Sequence, residues 1–142
     1  YEAKLRQMLV QLDIGDHVRF VPQVPREQVP EWLGRFDVFL FTSIWPEPMA
    51  RSVMEAMAAG LLVIGTEVGG QVEKLDNPQN ALTFTAEDAE GLADHMARVL
   101  NDPSLGPRLA RAGRQTVLER FTLERMVDEI EQYYYTPGPH LE

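Results

Sequence analysis

The sequence predicts an α/β fold in which a parallel β-sheet carries helices on both faces. Three observations lead to this prediction. Short apolar runs alternate with longer segments of helical periodicity, as they do in α/β proteins. The central runs are apolar at consecutive positions, so both faces of those strands are expected to be buried. Glycine follows two of the helical segments, at Gly15 and Gly60, where it is suited to end a helix.

The first half of the chain is expected to hold short helices and one buried strand. Apolar side chains recur at helical spacing in the first segment, and the run after Asp37 is apolar throughout, which favours a buried parallel strand. A short helix between prolines is expected to turn Trp32 and Leu33 inward. In chain order the predicted segments are a helix at 2–13, an extended run at 18–21, a short helix from about 26, a strand at 37–41 and a helix at 51–59.

The second half continues the alternation and ends in helices. Residues 133–135 are all tyrosine, which fits either ordinary core packing or a surface that packs on another domain. The apolar residues of the last helix share one face, made of Leu123, Met126, Val127, Ile130 and Tyr134. The predicted segments are a strand at 61–66, a short helix at 71–75, an extended run at 81–84 and helices at 87–100, 104–119 and 122–135.

The two ends of the sequence lead to expectations of their own. The chain starts with a helix that no strand precedes, so we expect upstream strands to lie outside this sequence. Residues 1–136 are expected to form one domain, and residues 137–142 a disordered tail. The terminal Leu141-Glu142 is typical of a cloning remnant.

Composition excludes several classes of site and partner. The 142 residues include no cysteine, which rules out disulfides and cysteine-based zinc sites or nucleophiles. The net charge of −9 opposes binding to nucleic acid, which rewards basic patches. No apolar run reaches the length of about 20 residues that a membrane span needs. An anionic ligand would therefore need local compensation by the fold.

Two connections leave the predicted carboxyl edge of the sheet, where open α/β sheets bind ligands. Residues 42–50 and 67–70 each lead into a helix, whose free N–H groups and positive dipole end attract phosphate. Seven residues separate Glu47 in the first connection from Glu55 in the helix after it. Carboxylates can grip vicinal diols, so the two acids could hold two sugar rings of one ligand. Alternatively, both are surface acids, and Glu55 pairs with Arg51.

The second connection contains Gly69 and Gly70, which let backbone approach a ligand without a Cβ in the way. The same pair also suits a plain tight turn. Trp45, in the first connection, is equally open to stacking on a ligand and to ordinary packing. His95 falls in mid-helix and is expected to be a surface or satisfied residue rather than a base.

Four stretches of the chain together match a known family signature. They lie at 42–48, 53–60, 63–66 and 68–73. In this order they resemble the donor-binding signature of GT-B glycosyltransferases, and in particular the large retaining family 4. Glu47 and Glu55 match the E-x7-E motif of that family. Shorter matches flank the block on both sides, so the likeness covers roughly residues 1–135.

The resemblance implies a Rossmann-like domain that holds the nucleotide-sugar donor, the carboxyl-terminal domain of a two-domain enzyme and here truncated at its amino end. Residues 1–136 would be part of this nucleotide-sugar-binding domain. Glu55 is expected to bind ribose hydroxyls, and Glu47, the predicted catalytic residue, hydroxyls of the transferred sugar. The other residues expected at the donor are Met49, Ala50, Arg51, Gly69 and Gly70.

The same resemblance implies the substrates and partners. The substrate would be a diphosphate sugar of UDP, GDP or ADP, and a hexose-type sugar would be transferred with retention of configuration. No tightly bound cofactor and no metal are expected. The partners would be an amino-terminal acceptor domain outside this sequence and a sugar or lipid-linked acceptor, without nucleic acid. The expected location is the cytoplasm, or the inner face of the membrane if the acceptor is a lipid.

Three residues depart from the family pattern. Met49 and Ala50 replace its usual Phe-Gly, and Arg51 replaces an apolar residue. A Cβ at position 50 is expected to narrow the site and to disfavour positive φ. The family's Arg and Lys that hold the diphosphate would precede Tyr1, so we expect the isolated chain to be inactive. The departures leave two alternatives open: a nucleotide-sugar epimerase of similar fold and a non-catalytic binding module.

Overall fold

A computed structural model of the chain describes residues 1–135; the predicted tail at 137–142 and its Leu-Glu end lie outside the described residues. The predicted helices and main strands are present, with boundaries that agree to within about two residues. Short 3₁₀ turns occupy Gly15–His17, Arg26–Gln28 and Gly69–Glu73. The strands are β1 (Val38–Phe41), β2 (Leu62–Thr66) and β3 (Leu82–Phe84). The helices are α1 (Glu2–Gln11), α2 (Val29–Leu33), α3 (Arg51–Ala59), α4 (Ala89–Asn101), α5 (Leu105–Arg120) and α6 (Leu123–Tyr135).

The three strands form one parallel sheet with β2 in the centre. Val38 of β1 is in register with Leu62, and Ile64 is in register with Leu82 of β3. Every residue of β2 is buried. The consecutive apolar residues of β2 thus belong to a strand covered on both faces, as predicted, and the prediction of a parallel sheet is confirmed.

Helices cover both faces of the sheet, as predicted. On one face, α3 buries Val53, Ala56 and Met57 against Phe41 and Val63. On the other face, α5 buries three side chains, while Leu92 and Val99 of α4 pack at the margin. The members of this second cluster are Leu62, Ile64, Leu82, Phe84, Leu105, Leu109 and Ala110. Two hydrophobic layers with the sheet between them are the arrangement that defines an α/β domain.

Helix α3 and the strand after it are joined by a turn that requires glycine. Gly60 has φ +85°, in the left-handed region that residues with a Cβ rarely adopt. Its N–H donates to the Met57 carbonyl at 3.0 Å, and the Leu61 N–H donates to Ala56 at 3.0 Å. These two bonds satisfy carbonyl groups at the end of α3, so the chain can enter β2 directly.

Strand β1 is less buried than its apolar sequence predicts. Among the described strands it pairs only with β2, so it lies at an edge of the sheet. Leu40 is 40% exposed, and it faces an open apolar hollow of about 200 Å³ together with Met96 and Leu100. The prediction of full burial is wrong for β1, because a run of apolar residues does not specify whether another element covers it.

The extended run predicted at 18–21 joins no strand of the described sheet. Val18 has an extended backbone, with φ −123° and ψ 126°, and Val18 and Val21 are 41% and 43% exposed. The expectation for Trp32 is corrected. Trp32 is half-buried and belongs to neither hydrophobic cluster. Its ring packs edge-to-face on Phe36 at a centroid distance of 5.9 Å. An aromatic pair at the surface thus replaces the expected core position, whereas Leu33 does pack on the core.

The first and last helices contribute no buried residue. In α6 the predicted apolar face exists but is uncovered: Met126 is 51% exposed and Ile130 48%. The three tyrosines at 133–135 are largely exposed, at 83%, 80% and 84%. Ordinary core packing of these tyrosines is therefore excluded in the described chain.

No helix within residues 1–135 combines the length and the apolar character that crossing a bilayer requires.

Candidate functional site

The two connections at the carboxyl edge of the sheet lie directly against each other. The Gly70 N–H donates to the Glu47 carbonyl at 2.9 Å. A Cβ on Gly69 would overlap the Glu47 carbonyl oxygen, and a Cβ on Gly70 would overlap that of Pro48. Gly69 also has φ +54°. The glycine pair is thus required for close packing of backbone on backbone, which neither the tight-turn interpretation nor the ligand-approach interpretation included.

Three hydrogen bonds fix the segment that leads to Glu47. The Thr66 hydroxyl, at the end of β2, donates to the Ser43 carbonyl at 2.6 Å. The Trp45 N–H donates to the Ser43 hydroxyl oxygen at 3.2 Å, and the Glu47 N–H donates to the Trp45 carbonyl at 2.8 Å. The Trp45 ring itself is 71% exposed, which excludes ordinary packing for it within the described chain. The backbone around Glu47 is therefore held at both the strand and the glycine turn.

Glu55 opens onto a separate hollow. A cavity of about 350 Å³ lies between α2 and α3, and Glu55 is at its wall. The other residues that line it are Arg26, Val29, Pro30, Leu33, Ala58 and Ala59. Glu47 does not line this cavity, so the structure gives the two acids different surroundings. The Arg51–Glu55 pair of the alternative interpretation is not among the ion pairs of residues 1–135, which join Arg6–Glu2, Arg35–Glu31 and Arg125–Glu129.

The residues that depart from the family pattern surround the start of α3. Ala50 is 3% exposed and belongs to the hydrophobic cluster below α3. Its φ of −74° is ordinary for a residue with a Cβ. The expectation that the Ala50 side chain narrows the site is wrong, because the methyl group points into the core. Met49 is 42% exposed, and Arg51 is exposed at the first position of the helix.

The amino end of α3 is free to receive an anion. Ala50 precedes the helix without a side-chain hydrogen bond to it, and no acidic residue lies in the first turn. The first N–H groups of an α-helix have no partner within the helix, so they attract an anionic or oxygen-rich group. Because α3 starts directly after the Glu47–Ala50 loop, these N–H groups and the Glu47 carboxylate belong to one short stretch of chain.

Lys74 lies beside the candidate site and was not predicted from the sequence. It is 1% exposed, and its ammonium donates to the Ala50 carbonyl at 3.5 Å. Burial lowers the pKa of Lys74 from its ordinary value of 10.5, while the carboxylates of Glu73 and Glu47 act to raise it. Because a lysine in a polar stretch is normally exposed, nothing in the sequence distinguishes the buried Lys74 from a surface lysine. Only the fold shows that a cation lies under the loop.

His95 and Glu67 have local partners and are not available as free catalytic groups. The His95 ring contacts the Thr83 carbonyl through Nε2 at 2.8 Å, which confirms the expectation of a satisfied histidine. The Glu67 carboxylate accepts a hydrogen bond from the Thr83 hydroxyl. Within residues 1–135, no three acidic or histidine side chains come together as metal ligands.

Comparison with known sequences places this geometry in a family. The family described as "Glycosyl transferases group 1" matches residues 1–116. The chain is 32% identical over 129 residues to N-acetyl-alpha-D-glucosaminyl L-malate synthase of Bacillus anthracis, covering 91% of this chain and 33% of that protein. It is 31% identical over 116 residues to glycogen synthase of Mycobacterium tuberculosis, covering 82% and 28%. The chain thus spans about a third of the length of these relatives.

Solved structures show the same fold. Sucrose-phosphate synthase from Thermosynechococcus elongatus superimposes with a TM-score of 0.84 at 29% identity, covering 93% of this chain and 33% of that one. Anabaena HepE, solved in complex with UDP-glucose, gives a TM-score of 0.86 at 23% identity, covering 94% and 36%. The second likeness is one of fold alone.

Proposed function

The chain belongs to the group 1 glycosyltransferases, with the Rossmann-like α/β fold of GT-B enzymes, and we propose that it binds the nucleotide-sugar donor of a retaining hexosyltransferase. One observation carries the proposal. The Glu47–Ala50 loop is seated on Gly69 and Gly70 at the carboxyl edge of a parallel sheet, where it leads into the uncapped start of α3. That edge is where α/β sheets bind nucleotides.

The nucleoside is assigned to the cavity between α2 and α3. Its volume of about 350 Å³ lies at the small end of the usual range for ligand pockets. Glu55 supplies two oxygens that can accept hydrogen bonds from the ribose 2′- and 3′-hydroxyls. Val29, Pro30 and Leu33 form an apolar wall against which a flat base can pack. A mostly apolar cavity with one carboxylate therefore matches a nucleoside better than it matches a free sugar.

The diphosphate and the sugar are assigned to the loop. The backbone N–H groups near Met49, Ala50 and Arg51 lie at the positive end of the α3 dipole and can bind phosphate oxygens. Glu47 is half-buried beside them and is assigned to the hydroxyls of the transferred sugar. In this arrangement Glu55 and Glu47 bind opposite ends of one ligand, which agrees with their separate surroundings.

Several partners of this activity lie outside the chain. The chain spans about a third of its relatives, and we assign the acceptor-binding domain and the cations that stabilise the departing diphosphate to the rest of the protein. The donor would be a UDP, GDP or ADP sugar, bound without metal, and the acceptor a sugar or a lipid-linked sugar. The enzyme would work in the cytoplasm or at the inner face of a membrane. We expect the chain alone to bind donor weakly and to transfer no sugar.

Titration of the ¹⁵N-labelled chain with UDP, GDP, ADP and UDP-glucose tests the proposal. We expect amide signals at 47–55 and 66–71 to move for one nucleotide series, and Glu55→Ala to weaken that binding about tenfold. Glu131→Ala is the matched control, because Glu131 is an exposed acid on α6. If signals at those two stretches stay in place up to millimolar ligand, the proposed function is wrong. Turnover of labelled donor by the chain would refute the expectation of inactivity alone.

A further inference from the structure

Two polar residues in and directly after the Gly69–Glu73 turn are buried. Lys74 is 1% exposed and Gln71 0%. The Lys74 N–H donates to the Gln71 carbonyl at 3.0 Å, as expected for residues three apart in a 3₁₀ turn. The Lys74 ammonium reaches the Ala50 carbonyl, so the lysine side chain extends toward the underside of the Glu47–Ala50 loop.

The polar atoms of this pair are incompletely satisfied. An ammonium has three donors, and the single hydrogen bond found for Lys74 is long, at 3.5 Å. Neither polar atom of the Gln71 side chain has a partner within the described residues. A buried, weakly paired cation lowers the free energy of unfolding relative to an apolar side chain of similar length. Packing alone therefore does not account for a lysine at this position, which indicates a role for its charge.

We propose that Lys74 is a positioning residue for the nucleotide sugar, which holds the Glu47–Ala50 loop from below through the Ala50 carbonyl and places a positive charge beneath it. The inference rests on the proposed function. Lys74 is too buried to touch the ligand, so it acts through the loop. Displacing Ala50 would move both the Glu47 carboxylate and the N–H groups at the start of α3, and small misplacements of binding groups weaken binding strongly. The charge also favours a diphosphate nearby, because the buried ammonium is shielded from bulk solvent.

Lys74→Met tests the proposal, since methionine is unbranched and uncharged. We expect the affinity for UDP-glucose, measured by NMR titration of the chain, to fall about tenfold. In the same variant the free energy of unfolding should stay unchanged or rise, because a desolvated charge is removed. A residue that only packs the turn would not weaken binding while stability is kept or increased. Unchanged affinity in Lys74→Met overturns the proposal.

Gln71→Leu is the matched control, because Gln71 is equally buried in the same turn and has no hydrogen-bond partner in the loop. We expect a more stable protein with unchanged affinity for UDP-glucose. Equal loss of affinity in Gln71→Leu and Lys74→Met would show that any change in the turn disturbs the loop, and would overturn the specific role of the lysine.

The pH dependence of stability gives a readout of the charge itself. The groups that act on Lys74 are Glu73 and Glu47, and burial lowers its pKa below 10.5 despite both. The unfolded chain then binds more protons between the lowered pKa and 10.5, so the free energy of unfolding rises with pH in that window. Lys74→Met should lack this rise. The same rise in both proteins would contradict a buried ammonium.

A measurement on the wild-type chain covers the case in which Lys74→Met does not fold. The Lys74 side-chain nitrogen signal should shift when UDP-glucose is added, and Glu47→Gln should lower the pKa of Lys74 because the Glu47 carboxylate raises it. Absence of both effects overturns the proposal. If the wild-type chain binds none of the nucleotides, the proposed function fails together with this inference. If it binds and Lys74→Met binds equally well, only the inference fails.

Discussion

Helices α3 and α6 both have amphipathic sequences, but only α3 buries its apolar face in the core. Val53, Ala56 and Met57 of α3 lie in the core, whereas α6 contributes no buried residue. Both helices repeat apolar residues at helical spacing. The difference shows that periodicity in a sequence encodes an apolar face but not the surface that will cover it. Helix α3 is covered by β2, whose own sequence is apolar on both faces, and by α5 through Val117.

The two helices are also held by different kinds of interaction. Helix α3 depends on burial of apolar area, which is the dominant favourable term in folding. Helix α6 is held by local contacts, among them the exposed Arg125–Glu129 ion pair at 2.7 Å and the Thr122 hydroxyl, which accepts from the Arg125 N–H at 3.2 Å. A helical ion pair of this kind contributes only about 0.3–0.5 kcal/mol, and a capping hydroxyl about 1 kcal/mol. We therefore expect stability to be concentrated around β2 and α3.

The largest effect that would test this comparison is a core truncation. Met57→Ala in α3 should lower the free energy of unfolding by roughly 2–5 kcal/mol, because Met57 is 0% exposed and its loss leaves a cavity next to Gly113. Met126→Ala on α6 is the matched control and should change it by less than about 0.5 kcal/mol. Urea denaturation of both variants measures the difference. Equal destabilisation would show that α6 is covered in solution and would break the comparison.

A pair of glycines extends the comparison to the backbone. Gly70→Ala should destabilise by about 1–3 kcal/mol, since the new Cβ would overlap the Pro48 carbonyl and displace the loop. Gly15→Ala, in the turn after α1, should instead stabilise by about 0.4–1 kcal/mol. A Cβ there meets no atom within 4 Å, and Gly15 does not have a positive φ. Thermal unfolding of both variants shows whether each substitution lowers or raises stability. A loss of stability in Gly15→Ala would mean that the region around α1 is packed.

The elements around β2 could be predicted from the sequence because their signals are local and agree with one another. The apolar run Leu62–Thr66, the glycine at 60 and the helical spacing of α3 all point to one arrangement. The exposure of β1 and α6 could not be predicted, since it depends on which other elements are present rather than on the residues themselves. Leu40 and Ile130 are residue types that are usually buried, yet they are 40% and 48% exposed.

The candidate site could be predicted only in part. The positions of Glu47 and of the glycine pair follow from the rule that parallel strands end at one edge of a sheet. The burial of Lys74 and the inward direction of the Ala50 methyl group depend on how the loop packs on the turn. That packing joins residues more than twenty positions apart, with the Lys74 ammonium reaching Ala50. No spacing or composition signal reports such a contact.

The smallest expected effect comes from the helix caps. Asp88 accepts a hydrogen bond from the Gly91 N–H at 2.9 Å at the start of α4, so Asp88→Ala should lower the free energy of unfolding by about 1 kcal/mol. Thr122→Ala removes the corresponding bond of α6. Leu92 and Val99 of α4 pack on the second hydrophobic cluster, whereas no residue of α6 packs on either cluster. The first turn of α6 can therefore open without unfolding the sheet, and the free energy of unfolding of Thr122→Ala should stay within about 0.5 kcal/mol of the wild-type value. Hydrogen exchange should still detect the change as faster exchange at the start of α6. A global loss in Thr122→Ala as large as that in Asp88→Ala would show that the last helix folds together with the sheet.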